Sequence, residues 1–166
     1  MDVRVALPAE VEAICEFGAS YIPQHYGPLL GAEAARAQVD NWWNRDRMER
    51  AVDEGRVVVA EDGGMVLGVG EWSLYEGVPV IWKLYVNPLH RGEGTGPRLI
   101  DAIIDEVPDE MDRIRVETFA VNRKAVAFYE REGFREIRTV EHGTDPAMTV
   151  VWLERSLDQR GPAPWP

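Results

Sequence analysis

The stretch Val86-Asn87-Pro88-Leu89-His90-Arg91-Gly92-Glu93-Gly94-Thr95-Gly96-Pro97 decides the fold of this chain. It follows a strand-like run, Val78 to Val86. It precedes Leu99, Ile100, Ile103, Ile104 and Val107, which are spaced as the apolar stripe of a helix. Glycines at such a junction let the backbone turn its N–H groups into one concavity, and the helix N-terminus adds the positive end of a dipole. The segment is built for phosphate. It is not a dinucleotide fingerprint, because the third glycine position after Gly92 and Gly94 is Pro97. Nor is it a mononucleotide P-loop, since no Gly-Lys-Ser/Thr closes it.

Working outward toward the N-terminus, Val57 to Ala60, the turn Asp62-Gly63-Gly64, Val66 to Tyr75, the turn Glu76-Gly77 and Val78 to Val86 spell three strands joined by hairpins. Toward the C-terminus, Pro108 stops the helix and Ile114 to Phe119 reads as a strand. Asn122 then caps a helix carrying Ala125, Phe128, Tyr129 and Glu132 on one stripe, which Gly133-Phe134 closes. Two last strands are expected near Arg135 to Val140 and Ala147 to Leu153. At the other end, Val3 to Leu7 reads as a short strand and Pro8 opens a helix through Val11, Ile14, Cys15 and Phe17. Ile22-Pro23 and Gly27-Pro28 are expected to break it and leave Tyr21, His25 and Tyr26 on a loop. A second helix is expected from about Ala32 to Glu54, with Trp42 and Trp43 adjacent on it and at least one of them core. These elements predict a single α+β domain over residues 1–157, antiparallel first and then a β-α-β crossover that demands one parallel strand pair. The tail, residues 158–166, holds Pro162, Pro164 and Pro166 and reads as a flexible, unpacked segment.

Composition narrows the function. With 18 Lys+Arg against 29 Asp+Glu, the formal net charge of −11 argues against a nucleic-acid coat or a polybasic membrane anchor. No apolar run approaches the roughly 18 residues of a spanning helix. Residues 1–13 lack the basic-then-apolar layout of a signal peptide, so a cytoplasmic location is expected. The single cysteine, Cys15, excludes an internal disulfide and a Cys-based zinc site. His25, His90 and His142 carry no metal-ligand spacing, and no metal is expected.

Arg91-x-x-Gly94-x-Gly96, set between strand and helix, resembles the acyl-coenzyme A pyrophosphate loop of the GNAT acetyltransferases. Leu84-Tyr85-Val86-Asn87-Pro88 resembles that family's fourth strand and its exit. Asn122-x-x-Ala125-x-x-Phe128-Tyr129-x-x-x-Gly133-Phe134 resembles its second signature helix. Together these cover roughly residues 57–155. The resemblance implies a GNAT-like, mostly antiparallel twisted sheet flanked by helices, with a splayed parallel pair at the acyl-CoA site.

It also implies roles. Backbone N–H groups of Arg91, Gly92, Glu93, Gly94, Thr95 and Gly96 would bind the pyrophosphate of acetyl-CoA as cosubstrate. Pro97 removes a contact at its own position. Leu84, Tyr85 and Val86 would line the pantetheine arm, with the Val86 N–H polarising the thioester carbonyl. Asn122 would bond the pantetheine, Lys124 would join Arg91, Arg98 and Arg123 in a basic rim, and Tyr129 would protonate the departing thiolate.

The amine acceptor needs a base. The glutamate that some family members carry at the start of the fourth strand is replaced by Val78-Pro79-Val80. Glu71 is the favoured substitute and Glu76 the other, although Glu71 also reads as an ordinary solvated strand residue. Acid and aromatic residues at Tyr21, His25, Tyr26, Asp40, Trp42 and Trp43 would suit a cationic amine. The reading is an N-acetyltransferase for a small primary amine, acting by direct attack in a ternary complex, as monomer or homodimer. Alternatives are a protein lysine or N-terminal acetyltransferase and a non-catalytic acyl-CoA sensor.

Overall fold

A computed structural model describes residues 1–157, and the expected Pro-rich tail at 158–166 lies outside them. Seven strands form one sheet: β1 (Asp2–Val5), β2 (Val57–Asp62), β3 (Met65–Tyr75), β4 (Val78–Val86), β5 (Arg113–Phe119), β6 (Arg135–Val140) and β7 (Val150–Ser156). Their order is β1-β2-β3-β4-β5-β7-β6. The sheet is mostly antiparallel, and the crossover delivers its one parallel pair, β4 with β5, at Val80↔Arg115 and Ile81↔Val116. Among the described residues no helix is long and apolar enough to cross a membrane.

The chain falls into two compact units. The first holds Met1–Trp72 and Trp82–Glu106, and with them the helices α1 (Val11–Leu30), α2 (Ala32–Trp42), α3 (Arg45–Asp53) and α4 (Thr95–Glu106). One sheet face here carries Val57, Val59, Val69 and Tyr85 into a core with Ile14, Phe17, Ile22, Trp43 and Met48. The other face receives α4 through two glycines of β3. A Cβ on Gly68 would stand 2.9 Å from Leu99 Cδ1 and 3.1 Å from the Tyr85 carbonyl oxygen, and one on Gly70 would stand 2.9 Å from Ile103 Cδ1. Their bare backbones let the helix sit directly on the strand.

Two helical expectations are corrected here. α1 runs unbroken through Pro23 and Pro28, so Tyr21, His25 and Tyr26 lie on a helix and not on a loop. Each proline deletes one backbone donor. The buried stripe Val11, Ile14, Phe17, Gly18 and Ile22 outweighs that loss. Gly18 permits the contact, because a Cβ there would be 2.5 Å from Trp43 Cε3. The expected helix from Ala32 to Glu54 is instead two helices. Trp43 leaves helical geometry, and the Asn44 side chain starts α3 afresh by accepting from the Arg47 N–H at 3.0 Å.

The second unit holds Ser73–Ile81 and the chain from Val107 onward. β7 lies between β5 and β6, antiparallel to both. α5 (Arg123–Arg131) ends at Gly133 (φ +88), which closes the helix while Phe134 N–H donates to the Tyr129 carbonyl at 3.0 Å. A Cβ on Gly133 would sit 3.8 Å from Arg155 Cδ. Arg155 pairs with Ile114, so the end of α5 lies on the sheet face that bears Ile114.

Candidate functional site

The loop between β4 and α4 is held open by its own sequence. Asn87, only 4% exposed, binds both ways: its Oδ1 accepts from Leu89 N–H at 3.0 Å, and its Nδ2 donates to the Tyr21 hydroxyl at 3.0 Å. Its own N–H donates to the Leu67 carbonyl at 2.8 Å. Beyond this anchor, Gly92 (φ +83) and Gly94 (φ +78) take the left-handed turns that glycine allows. A Cβ at either position would meet nothing within 4 Å, so the need for glycine there is conformational. Arg91, Gly92, Glu93 and Gly94 are exposed, whereas Thr95 is buried at the first turn of α4, its hydroxyl 3.4 Å from Met1 Sδ. Outside the helices and strands, none of the backbone–backbone hydrogen bonds of the described residues is donated by an N–H from Arg91 to Gly94. Exposed amides running into a helix N-terminus are what a phosphate group needs.

Charge at the loop is mixed. The Arg91 Nε donates to the Val86 carbonyl at 3.4 Å and its guanidinium lies 6.0 Å from the Tyr85 ring centroid. Glu93 brings a carboxylate, matched by His90 Nδ1 at 3.2 Å. The Arg98 guanidinium reaches the Met1 carbonyl at 3.5 Å. Leu84 and Val86 are half-buried, while Lys83 and Tyr85 alternate with them on the opposite face.

Tyr85 belongs to an aromatic group with His25 at 5.1 Å, Tyr26 at 6.4 Å and Phe17 at 6.5 Å between ring centroids. Its hydroxyl is buried close to the Arg91 guanidinium, and burial pushes the phenol far up. Of the two adjacent tryptophans, Trp43 is core and Trp42 is 43% exposed under the Arg47 guanidinium. Cys15 is half-buried, and burial pushes its thiol up, away from the thiolate a nucleophile needs.

Glu71 is not solvated. It is 3% exposed, ion-paired through Oε2 with the Lys83 ammonium and through Oε1 with Arg56 at 3.2 Å. Trp43 covers Lys83, whose ammonium lies 5.5 Å from its ring centroid. Burial pulls the Lys83 ammonium down, against the pull of Glu71 upward. The alternation of β4 carried the signal: Lys83 occupies an inward position two residues from Tyr85, and a buried lysine requires a counter-charge.

In the second unit, Asn122 caps α5 with Oδ1 accepting from the Ala125 N–H at 3.3 Å, and is 6% exposed. Tyr129 is 5% exposed, with Phe128 at 5.2 Å and Phe134 at 5.6 Å between centroids. Arg123 and Lys124 are exposed beside the cap. One carboxylate escaped the sequence reading. Glu117 of β5 is half-buried, with neither a hydrogen bond nor an ion pair among the described residues. Burial pushes its carboxyl up, against the lowering fields of His142 and Arg138.

Three comparisons place this geometry among known proteins. The family model described as the acetyltransferase (GNAT) family matches residues 20–134. The L-amino acid N-acyltransferase MnaT of Escherichia coli is 38% identical over 113 residues, 63% of this chain and 66% of that protein. The chain thus spans just under two thirds of that relative's length. A PaiA N-acetyltransferase of Thermoplasma acidophilum, solved in complex with coenzyme A, has the same fold at a TM-score of 0.77 and 14% identity, over 93% of this chain and 98% of that one. A putative acetyltransferase of Salmonella typhimurium, solved with its cofactor acetyl-CoA, matches at 0.67 and 20% identity, over 99% and 98%.

Proposed function

Because the chain belongs to the GNAT acetyltransferase family, we propose that its one domain, residues 1–157, is an N-acetyltransferase. It transfers an acetyl group from acetyl-CoA to a primary amine of a small molecule, by direct attack in a ternary complex. The observation that carries this is the loop of exposed amides at Gly92 and Gly94, leading into the N-terminus of α4. The acetyl-CoA-bound and coenzyme A-bound structures of the same fold support it, and the small-amine class is supported by the L-amino acid N-acyltransferase relative.

Acetyl-CoA supplies the activated acetyl thioester when bound. The amides of Arg91 to Gly96 hold its pyrophosphate, and Arg91 and Arg98 bring local positive charge to a chain of net charge −11. Leu84, Tyr85 and Val86 line the pantetheine arm, and the Val86 N–H is a donor for the carbonyl that develops negative charge. Asn122 and Lys124 bind further along the same ligand. Tyr129 holds the proton destined for the leaving sulfur. Glu71 is the proposed base. Its Oε1 accepts from Arg56 and its Oε2 from Lys83, the cations that hold the carboxylate in place.

The first test is a thermal shift with acetyl-CoA beside coenzyme A, NADH and ATP. Ligand at about a hundred times its dissociation constant adds roughly 2.7 kcal/mol. A rise for the two coenzyme A forms alone supports the reading. No rise with either one overturns it. Turnover with small amines against lysine peptides then separates the small-molecule reading from protein acetylation, and turnover with neither favours the sensor.

A further inference from the structure

Within the second unit, one row of side chains runs across three strands. On β7, Trp152 stands opposite Glu117 of β5 on one side and Arg138 of β6 on the other. Residues paired directly across an antiparallel ladder project from the same face. Alternation puts Ile114 and Val116 on the opposite face from Glu117, and that opposite face is where α5 ends against Arg155. Glu117, Trp152 and Arg138 therefore share the face away from α5. Tyr75 stacks on Trp152 there, with centroids 6.0 Å apart and planes inclined by 22°, while the Arg138 guanidinium lies 4.9 Å from the same ring centroid. Trp152 is buried by these neighbours at 5% exposure, and Tyr75 is 44% exposed.

Farther along this face the polar groups are paired: Arg115 donates to Glu154 at 2.8 Å. Among the described residues Glu117 has no such partner. It lies toward the C-terminal end of β5, and Asn122 follows that strand.

We propose that Glu117 is the seat of the acceptor's ammonium group, with the exposed ring of Tyr75, backed by Trp152, receiving an apolar or aromatic body. The acceptor class is then a cationic amine carrying a flat or apolar group. A carboxylate with no ion-pair partner among the described residues gains one when such an amine binds, and the exposed ring of Tyr75 favours a cation on its face. This rests on the acetyltransfer reading, which it deepens by naming a specificity-determining residue.

The test is calorimetric titration of 2-phenylethylamine into the full-length protein, with and without coenzyme A. It compares wild type, Glu117→Gln and the same-face control Glu154→Gln. Glu117→Gln is expected to weaken the amine roughly tenfold or more, while Glu154→Gln leaves it within twofold. The thermal shift with coenzyme A is expected to be the same in all three proteins. Unchanged amine affinity in Glu117→Gln overturns the proposal, and so does a wild type that does not bind 2-phenylethylamine under either condition. If coenzyme A itself does not bind, the acetyl-CoA reading fails, and the titration without it still decides Glu117. As a second readout, Glu117→Asp keeps the charge and is expected to recover part of the affinity.

Discussion

Glu71 and Glu117 are the same residue type, each on a strand of the one sheet, and the protein treats them in opposite ways. Glu71, in the first unit, is 3% exposed and clamped between Lys83 and Arg56. Glu117, in the second, is half-buried with its nearest charges acting only at a distance. A buried ion pair is expensive to assemble, and removing one partner leaves an uncompensated charge. A half-buried carboxylate without a partner is a smaller cost to the fold and a larger opportunity for a ligand. The difference sets a carboxylate engaged by two cations against one with no ion-pair partner among the described residues.

The largest effect is expected where the pair is broken. Glu71→Gln should lose about 3–5 kcal/mol of stability, because Lys83 is left buried without its counter-charge. Adding Lys83→Met should restore most of it, read as denaturation midpoints around the double-mutant cycle. The cycle also tests the proposed base. Activity that returns with stability in the double variant means that Glu71 only supports the fold. Activity that stays lost in a stable double variant keeps it in the mechanism.

Tyr129→Phe should invert that pattern. Removing a general acid costs on the order of a hundredfold in turnover, with acetyl-CoA affinity and melting temperature nearly unchanged. Unaltered turnover would remove Tyr129 from the chemistry and leave it a core residue between Phe128 and Phe134. Asn87→Ala lies between these cases. It strips the Leu89 N–H and the Tyr21 hydroxyl of a buried partner, for about 1–2 kcal/mol of stability. Because the same side chain anchors the loop, acetyl-CoA should also bind more weakly. Equal affinity would mean that the glycines alone shape the loop.

Sequence legibility followed the same division. The loop, the meander, the crossover and the caps at Asn122 and Gly133 are local: each is written in a few adjacent residues, and each stands in the structure. What could not be read was set by distant partners. Pro23 and Pro28 are helix breakers in any short window, and only the burial of the stripe Val11, Ile14, Phe17 and Ile22 overrides them. Trp42 and Trp43 are indistinguishable until Gly18 makes room for one of them. Glu71 reads as solvated because its partner Lys83 lies twelve residues away on the next strand. Glu117 drew no notice, since nothing local marks a carboxylate that lacks a partner.

The smallest effect sharpens the comparison most directly, because it reads the environment of Glu117 without any ligand. Burial raises its carboxyl above the ordinary value of 4.5, so the folded state binds that proton more readily than the unfolded chain does. Its contribution is therefore fully present below pH about 4.5 and is lost as pH rises through the raised folded value. Relative to Glu117→Gln, the wild type should lose stability between pH 4 and 7, by well under about 1 kcal/mol given its partial exposure. Other charges on this face or next to it, Arg115, Glu154, Arg138 and His142, are common to both proteins, so the difference in urea midpoints isolates Glu117. Parallel curves would mean that water satisfies the carboxylate as fully in the folded protein as in the unfolded chain. A difference of opposite sign would mean that Arg138 or His142 pairs with it in solution. In the second event Glu117 would be paired as Glu71 is, and in either event the ammonium seat would lose its physical basis.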